Sequence, residues 1–133
     1  MRWRRATTED RQLAWLWGAA AVSAVVLRPL WLAVAPLLPA CPLRTLTTIP
    51  CPTCGSTRAG LALLHADLLG AVRINPLAAL AGIAFVLGGV AAPAWVSLGG
   101  PLPDLPTRWP PWVRLGVLGA ILLNWTWLMV ALR

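Results

Sequence analysis

The chain has 133 residues, of which 59% are hydrophobic and 11% are charged, and its mean hydropathy is +0.73. An ordinary soluble domain carries about 25% charged residues, and a domain of this size needs more polar residues than this to cover its surface. The composition therefore excludes an ordinary soluble domain and indicates a protein solvated by lipid. The net charge of +7 does not indicate a nucleic-acid partner, because the arginines lie in short segments between apolar runs.

Three long apolar runs organise the chain, and each has the roughly 20 mainly apolar residues that a membrane-spanning helix needs. We predict an all-α membrane protein with three transmembrane helices, and with a cysteine loop and a short interfacial or re-entrant helix between the first and the second. The predicted parts are a basic tail (1–12), transmembrane helix 1 (13–38), the cysteine loop and short helix (39–75, the helix at about 56–73), transmembrane helix 2 (76–98), a Pro-rich linker (99–111) and transmembrane helix 3 (112–132).

The first run ends in LPAC, residues 38–41, which resembles a lipoprotein cleavage box. Pro39 before the small residue, Arg28 inside the apolar core, and a length beyond the usual 15–30 residues or so all count against cleavage. We therefore expect the first run to remain in the protein.

The predicted orientation follows from the arginines, since loops rich in Lys and Arg stay in the cytoplasm. The side that carries the N-terminus has six arginines and the opposite side has four. We expect a protein of the bacterial inner membrane with a cytoplasmic N-terminus and an extracytoplasmic cysteine loop. Its predicted partners are the lipid bilayer and other membrane proteins or a second copy, with no nucleic acid.

The segment PCPTCGSTRAG carries two of the three cysteines. Cys51 and Cys54 directly precede a predicted helix, whose first N–H groups favour a thiolate. This arrangement is typical of a thiol–disulfide oxidoreductase, with Cys51 as the nucleophile and Cys54 as the resolving thiol. The chain lacks the βαβ pattern of a thioredoxin-like domain, however, and Cys41 is the one further cysteine.

Zinc is the second interpretation of these cysteines, because Cys41, Cys51, Cys54 and His65 would supply its four ligands. A straight helix from Ser56 places the backbone of His65 about 13 Å along the helix axis, out of reach of the cysteines. We therefore predict no cofactor and keep zinc as an alternative.

The third interpretation is structural, and it is the one we favour. A disulfide between Cys41 and either Cys51 or Cys54 would close the Pro-rich loop if this side of the membrane is oxidising. Catalytic residues remain unassigned under this interpretation, and enzymatic activity is not expected.

Other polar residues have predicted structural roles. Ser56 or Thr57 would cap the short helix, and Asn75 with the following proline would begin the second membrane helix. Arg28 would extend its guanidinium to the nearby interface, and the alternative is that it pairs with Asp67, which could also pair with Arg58. Asn124, in the third apolar run, would form a hydrogen bond to another helix.

Several of these segments together resemble a bacterial membrane-protein family of unknown function, domain of unknown function 2752. They are CP at 41–42, IPCPTCGSTRA at 49–59, LLHADLLGAVR, and NPL at 75–77. The family's pattern is a Cys-Pro, a loop, a Cys-Pro-x-Cys-Gly-x-Thr-Arg, a Gly-Asp, and an Asn-Pro that opens a membrane helix. The positions of this chain that match it are Cys41, Pro42, Cys51, Pro52, Cys54, Gly55, Thr57, Arg58, Asp67, Asn75 and Pro76.

This chain departs from the pattern at Ala66, where the family has glycine before the aspartate. The resemblance implies a structural or binding cluster of Gly55, Thr57, Arg58, Asp67, Asn75 and Pro76, and it implies no activity. We predict a small non-enzymatic component of a membrane assembly with a structural cysteine loop. The alternative is a membrane thiol–disulfide redox protein that uses Cys51 and Cys54.

Overall fold

The computed structural model describes residues 3–38, 41–103 and 108–131. The described chain is nearly all helical, which confirms the predicted fold class. Its elements are β1 (Trp3–Arg4), α1 (Thr8–Val26), α2 (Arg28–Val34), a 3₁₀ turn (Ala35–Leu37), α3 (Pro42–Thr47), α4 (Ser56–Leu64), α5 (Leu68–Ile74), α6 (Pro76–Ser97), β2 (Leu102–Pro103) and α7 (Pro111–Ala131).

Within the described residues, three segments are long and apolar enough to cross a membrane by length and composition: Arg28–Thr47, Pro76–Ser97 and Pro111–Ala131. The second and third lie within one residue of the predicted helices 76–98 and 112–132. The first lies later than the predicted 13–38.

The shift of the first candidate span has a local cause. Helix α1 ends at Val26, and a turn at Leu27 separates it from α2. Because α1 begins at Thr8 rather than at residue 13, its first turn includes Glu9 and Asp10, which are costly in a membrane. The candidate span is instead Arg28–Thr47, which runs over residues 39–40, outside the described part of the chain.

The described chain forms two compact units. The first comprises the described residues of the ranges 1–27 and 84–109, and in it the Trp17 ring lies 6.3 Å from the Phe85 ring, centroid to centroid. In this unit the start of α1 is fixed by a capping box, in which the side chains of Thr7 and Asp10 each accept a hydrogen bond from the other's backbone N–H. Arg4 pairs with Asp10, and this ion pair together with the hydrogen bonds from Thr7 holds the pKa of that carboxyl below its usual value.

The second unit comprises the described residues of the ranges 28–83 and 110–133. Its core is small, with Ala59, Ala71 and Ala79 fully buried where α4, α5 and the start of α6 meet. Small side chains let membrane helices approach closely. On α7, Asn124 and Leu128 are the buried residues, while most of the leucines on this helix are exposed. A helix with an amide inside and leucines outside is suited to apolar surroundings.

The predicted helix 56–73 is two helices rather than one. Helix α4 ends at Leu64, and α5 begins at Leu68 with Asp67 as its N-cap, whose carboxylate accepts from Gly70 N at 2.8 Å. Between them Ala66 has φ of 61°, in the left-handed region that favours glycine. The backbone at this position therefore suits glycine, and Ala66 adopts the same conformation under strain.

Candidate functional site

Residues 50–55, here called the CPTC loop, form a tight turn in front of α4. The Cys54 N–H donates to the Cys51 carbonyl at 2.9 Å, with Pro52 at the second position of the turn, where its fixed φ fits. The Ser56 hydroxyl donates back to the Thr53 carbonyl at 2.7 Å. The predicted cap by Ser56 or Thr57 is wrong, because the N-cap of α4 is the residue before them, Gly55.

Gly55 is required at that position on two grounds. Its φ is +81°, which side-chain-bearing residues rarely adopt. A Cβ atom there would also lie 3.1 Å from Cγ2 of Ile74, closer than ordinary van der Waals contact. The Cys54–Gly55 step therefore turns the chain into α4 and allows α4 to lie against the end of α5.

All three cysteines meet at this loop. Their Sγ atoms lie within 4.8 Å of one another, and the sulphurs of Cys41 and Cys51 are 3.4 Å apart. Cys54 is buried, whereas Cys41 and Cys51 are half-buried. Burial, together with the neighbouring Cys51 and Cys41, raises the pKa of the Cys54 thiol. The hydroxyl of Thr53 lies 3.4 Å from the Cys51 sulphur.

The backbone of the CPTC loop is held by two side chains from α7 and by one helix-cap residue, Asn75. Three carbonyls at alternate positions accept hydrogen bonds: Pro50 O from Trp125 Nε1 at 2.8 Å, Pro52 O from Asn124 Nδ2 at 3.3 Å, and Cys54 O from Asn75 Nδ2 at 3.2 Å. Carbonyls of a loop outside regular structure need such partners when water is scarce. The loop is therefore fastened to α7 and to the junction of α5 and α6.

The two asparagines each hold a second group as well. Asn75 is 1% exposed, and its Oδ1 accepts from Ala78 N at 3.0 Å, which caps α6 as predicted. The Oδ1 of Asn124 accepts from Leu77 N at 3.0 Å, so the predicted hydrogen bond from this residue to another helix is confirmed. Each amide thus joins a helix start to the CPTC loop.

A cavity of about 810 Å³ opens on the cysteines. The groups that line it include all three cysteines, Thr53 and the predicted cluster residues Gly55, Thr57 and Arg58. Arg44, from α3, lines it as well. The cavity therefore combines thiols with two guanidinium groups.

Three residues of the predicted cluster, Asp67, Asn75 and Pro76, do not line the cavity, and neither does His65. Asp67 caps α5, and in the described part of the chain no ion pair joins it to Arg28 or Arg58, so that predicted pairing is wrong. His65 is exposed, and its Nδ1 lies 2.8 Å from the Leu61 carbonyl of its own helix, away from the thiol group. Pro76 begins α6 next to the loop's anchor Asn75.

Two tryptophans stabilise the site through hydrogen bonds that the sequence did not predict. Trp125 and Trp127 lie in the middle of an apolar run, which by itself predicts packing rather than hydrogen bonding. In the structure the indole of Trp125 donates to Pro50 O, and that of Trp127 donates to Arg73 O at 3.1 Å. The latter carbonyl lies in the last turn of α5, where it has no partner within the helix. The position of Trp125 next to Asn124 was the available signal.

One protein-family model matches the segment of the chain that contains the cysteine motif. Residues 41–89 match the model of a family described as a protein of unknown function (DUF2752). The resemblance is thereby confirmed. The DUF2752 segment contains all three cysteines and Asn75, whereas Asn124 and Trp125 lie beyond it. No curated protein and no solved structure matches the chain.

Proposed function

We propose that this chain is a non-enzymatic component of a membrane assembly, in which the CPTC loop is a structural site that ties the DUF2752 segment to α7. The observation that carries this proposal is the set of three loop carbonyls held by Trp125, Asn124 and Asn75. Hydrogen bonds between membrane helices contribute about 0.6 kcal/mol on average and up to about 1.7 kcal/mol. Three such hydrogen bonds hold the six residues of the CPTC loop, so the loop is fixed as one unit.

The surface of the helices supports a membrane location. Large apolar side chains are widely exposed on α6 and α7, among them Leu87, Val90, Leu115 and Leu123, each more than 60% exposed. Soluble monomers do not expose apolar surface on this scale. Lipid, or the helices of another membrane protein, would cover these side chains.

The structural role is tested by removing one hydrogen-bond anchor while keeping an aromatic side chain at its position. Trp125→Phe deletes the indole N–H that bonds Pro50 O, and Trp112→Phe is the matched control, because Trp112 is 72% exposed. We expect Trp125→Phe to lower the protein's abundance in membranes and its thermal stability in detergent, and to speed alkylation of the loop thiols. Equal behaviour of the two variants would contradict the structural role.

A redox role is the second candidate, and one distance favours it. The sulphurs of Cys41 and Cys51 are 3.4 Å apart, so the reactive pair would be these two rather than Cys51 and Cys54. In the reaction the Cys51 thiolate would attack a partner protein's disulfide, and Cys41 would then displace the partner. The two thiols would lose two protons and two electrons to form one disulfide, and the partner's disulfide would become two thiols.

The two candidates differ in what Cys41→Ser does. A redox protein with this substitution would accumulate normally but fail to reduce a disulfide substrate. A structural site would lose abundance with the same substitution. Cys54→Ser should spare the redox reaction, since Cys54 is buried and lies outside the reacting pair.

A further inference from the structure

We propose that Cys41, Cys51 and Cys54 together bind one zinc ion as thiolates, with a fourth ligand supplied from the cavity. This inference rests on the structural role proposed for the CPTC loop and deepens it, because it names what the loop is built to hold.

The separations of the sulphurs fit a common ion. Zinc binds thiolate sulphur at about 2.3 Å, so the sulphurs of a tetrahedral site lie about 3.8 Å apart. Here one pair is separated by 3.4 Å and all three pairs by no more than 4.8 Å. Shifts of a few tenths of an ångström to about one ångström would bring all three to one ion.

The third thiol distinguishes this site from a disulfide. A bond between Cys41 and Cys51 would use two sulphurs and leave Cys54 without a role, yet Cys54 is 5% exposed and belongs to the same cluster. A metal ion uses all three. Cys51 and Cys54 also come from one turn with two residues between them, which is a common spacing of zinc-binding cysteines.

The surroundings of the sulphurs suit a bound metal. The Thr53 hydroxyl is 3.4 Å from the Cys51 sulphur and can donate to a thiolate, as groups around metal ligands commonly do. The anchored carbonyls of Pro50, Pro52 and Cys54 fix the backbone that carries two of the ligands. The cluster is therefore positioned before a metal arrives.

Charge and ligand type favour zinc. Thiolates are soft ligands that select zinc or copper(I) over magnesium or calcium. Three thiolates and one zinc ion carry a net charge of −1, and two arginines, Arg44 and Arg58, line the same cavity. Within the described residues no histidine or carboxylate belongs to the thiol cluster, so the fourth ligand has to come from outside the cluster, through the cavity on which the cysteines open.

The direct test is the metal content of the full-length protein, purified in detergent with a thiol reductant after growth with zinc. We expect about one zinc per chain, by the one-ion site proposed. Replacement by cobalt(II) should give the intense visible bands and sulphur charge-transfer bands of a tetrahedral thiolate site. Cys54→Ser should abolish both signals, whereas the matched control His65→Ala should keep them. Copper in place of zinc, or no metal at all, would overturn the proposal.

A second variant guards against misfolding of the cysteine substitutions. Thr53→Val removes the hydroxyl beside Cys51 but leaves every ligand and the loop anchors in place, and should weaken zinc affinity by about 10–100-fold. Unchanged affinity in this variant would argue against the thiol cluster as the site.

Different experimental results would refute the metal site and the structural role. A wild-type protein without zinc whose Trp125→Phe variant is destabilised would refute the metal site alone. A zinc-loaded protein that is indifferent to Trp125→Phe would refute the structural role of the loop.

Discussion

The side-chain amide of Asn124 donates to the carbonyl of Pro52 at 3.3 Å, across 72 residues of the chain. The same side chain accepts from Leu77 N, in the first turn of α6. One buried asparagine in the last apolar helix therefore holds both the CPTC loop and a helix start, so its loss should affect the loop and that helix together.

Asn124→Leu should destabilise the protein by roughly 1–3 kcal/mol, because two hydrogen bonds are lost and the Leu77 N–H loses its partner. Thr126→Val is the control, since the Thr126 hydroxyl bonds only the Leu123 carbonyl of its own helix. Thermal unfolding in detergent measures both variants. A loss for Asn124→Leu no larger than for Thr126→Val would show that the amide does not join these elements.

Asn75 has two functions that two substitutions can separate. Asn75→Asp keeps an oxygen for Ala78 N but replaces the donor to Cys54 O, so α6 should keep its start while the loop loosens. Asn75→Ala removes both, with a loss of about 1–3 kcal/mol from the cap and the loop bond together. Thermal unfolding and the alkylation rate of the loop thiols measure the two effects. Equal stability of the two variants would show that the cap contributes nothing.

Ala66→Gly should stabilise the protein. An L residue in the left-handed region costs about 1–2 kcal/mol, and the substitution removes this strain. Glycine is more flexible in the unfolded chain, which offsets about 0.5–1 kcal/mol of the gain in stability. We expect a net gain of roughly 0.5–1 kcal/mol by that difference. Ala62→Gly, inside α4, is the control and should cost about 1 kcal/mol. A loss at both positions would mean that Ala66 is not strained.

Asp10 should make the start of α1 sensitive to acid. Its pKa lies below the usual 3.8 because Arg4 and Thr7 bond the carboxylate, so the stabilisation is complete above 3.8 and declines as the pH falls below it. Hydrogen-exchange protection of the first turn of α1 should exceed that of an Asp10→Asn variant near pH 6. The difference should shrink toward pH 2 or so. A difference independent of pH would contradict the ionic contribution.

The long helices were predictable because hydropathy alone defines them. Helices α6 and α7 begin within one residue of their predicted starts, and the Asn75–Pro76 step gave the start of α6 through well-known cap chemistry. The first candidate span, Arg28–Thr47, lies later than the predicted 13–38, and the Arg28-Pro29 step was the available signal for the turn at Leu27.

The site itself was only partly predictable. The motif identified the cysteines, but their meeting depends on where α3 places Cys41, which no local pattern encodes. The break after α4 depends on a left-handed Ala66 and the Asp67 cap, and both compete with strong helix-forming neighbours. The hydrogen bond from Trp125 was not predictable, because no local pattern shows that the loop lies against α7.

Thiol alkylation in isolated membranes tests most directly the central claim that Cys41, Cys51 and Cys54 form one site. Mass spectrometry would count the modified cysteines before and after addition of a zinc chelator, and again after reduction. We predict that all three react slowly together and that the chelator, without reductant, releases all three together. Two cysteines blocked until reduction, with Cys54 indifferent to the chelator, would contradict the claim.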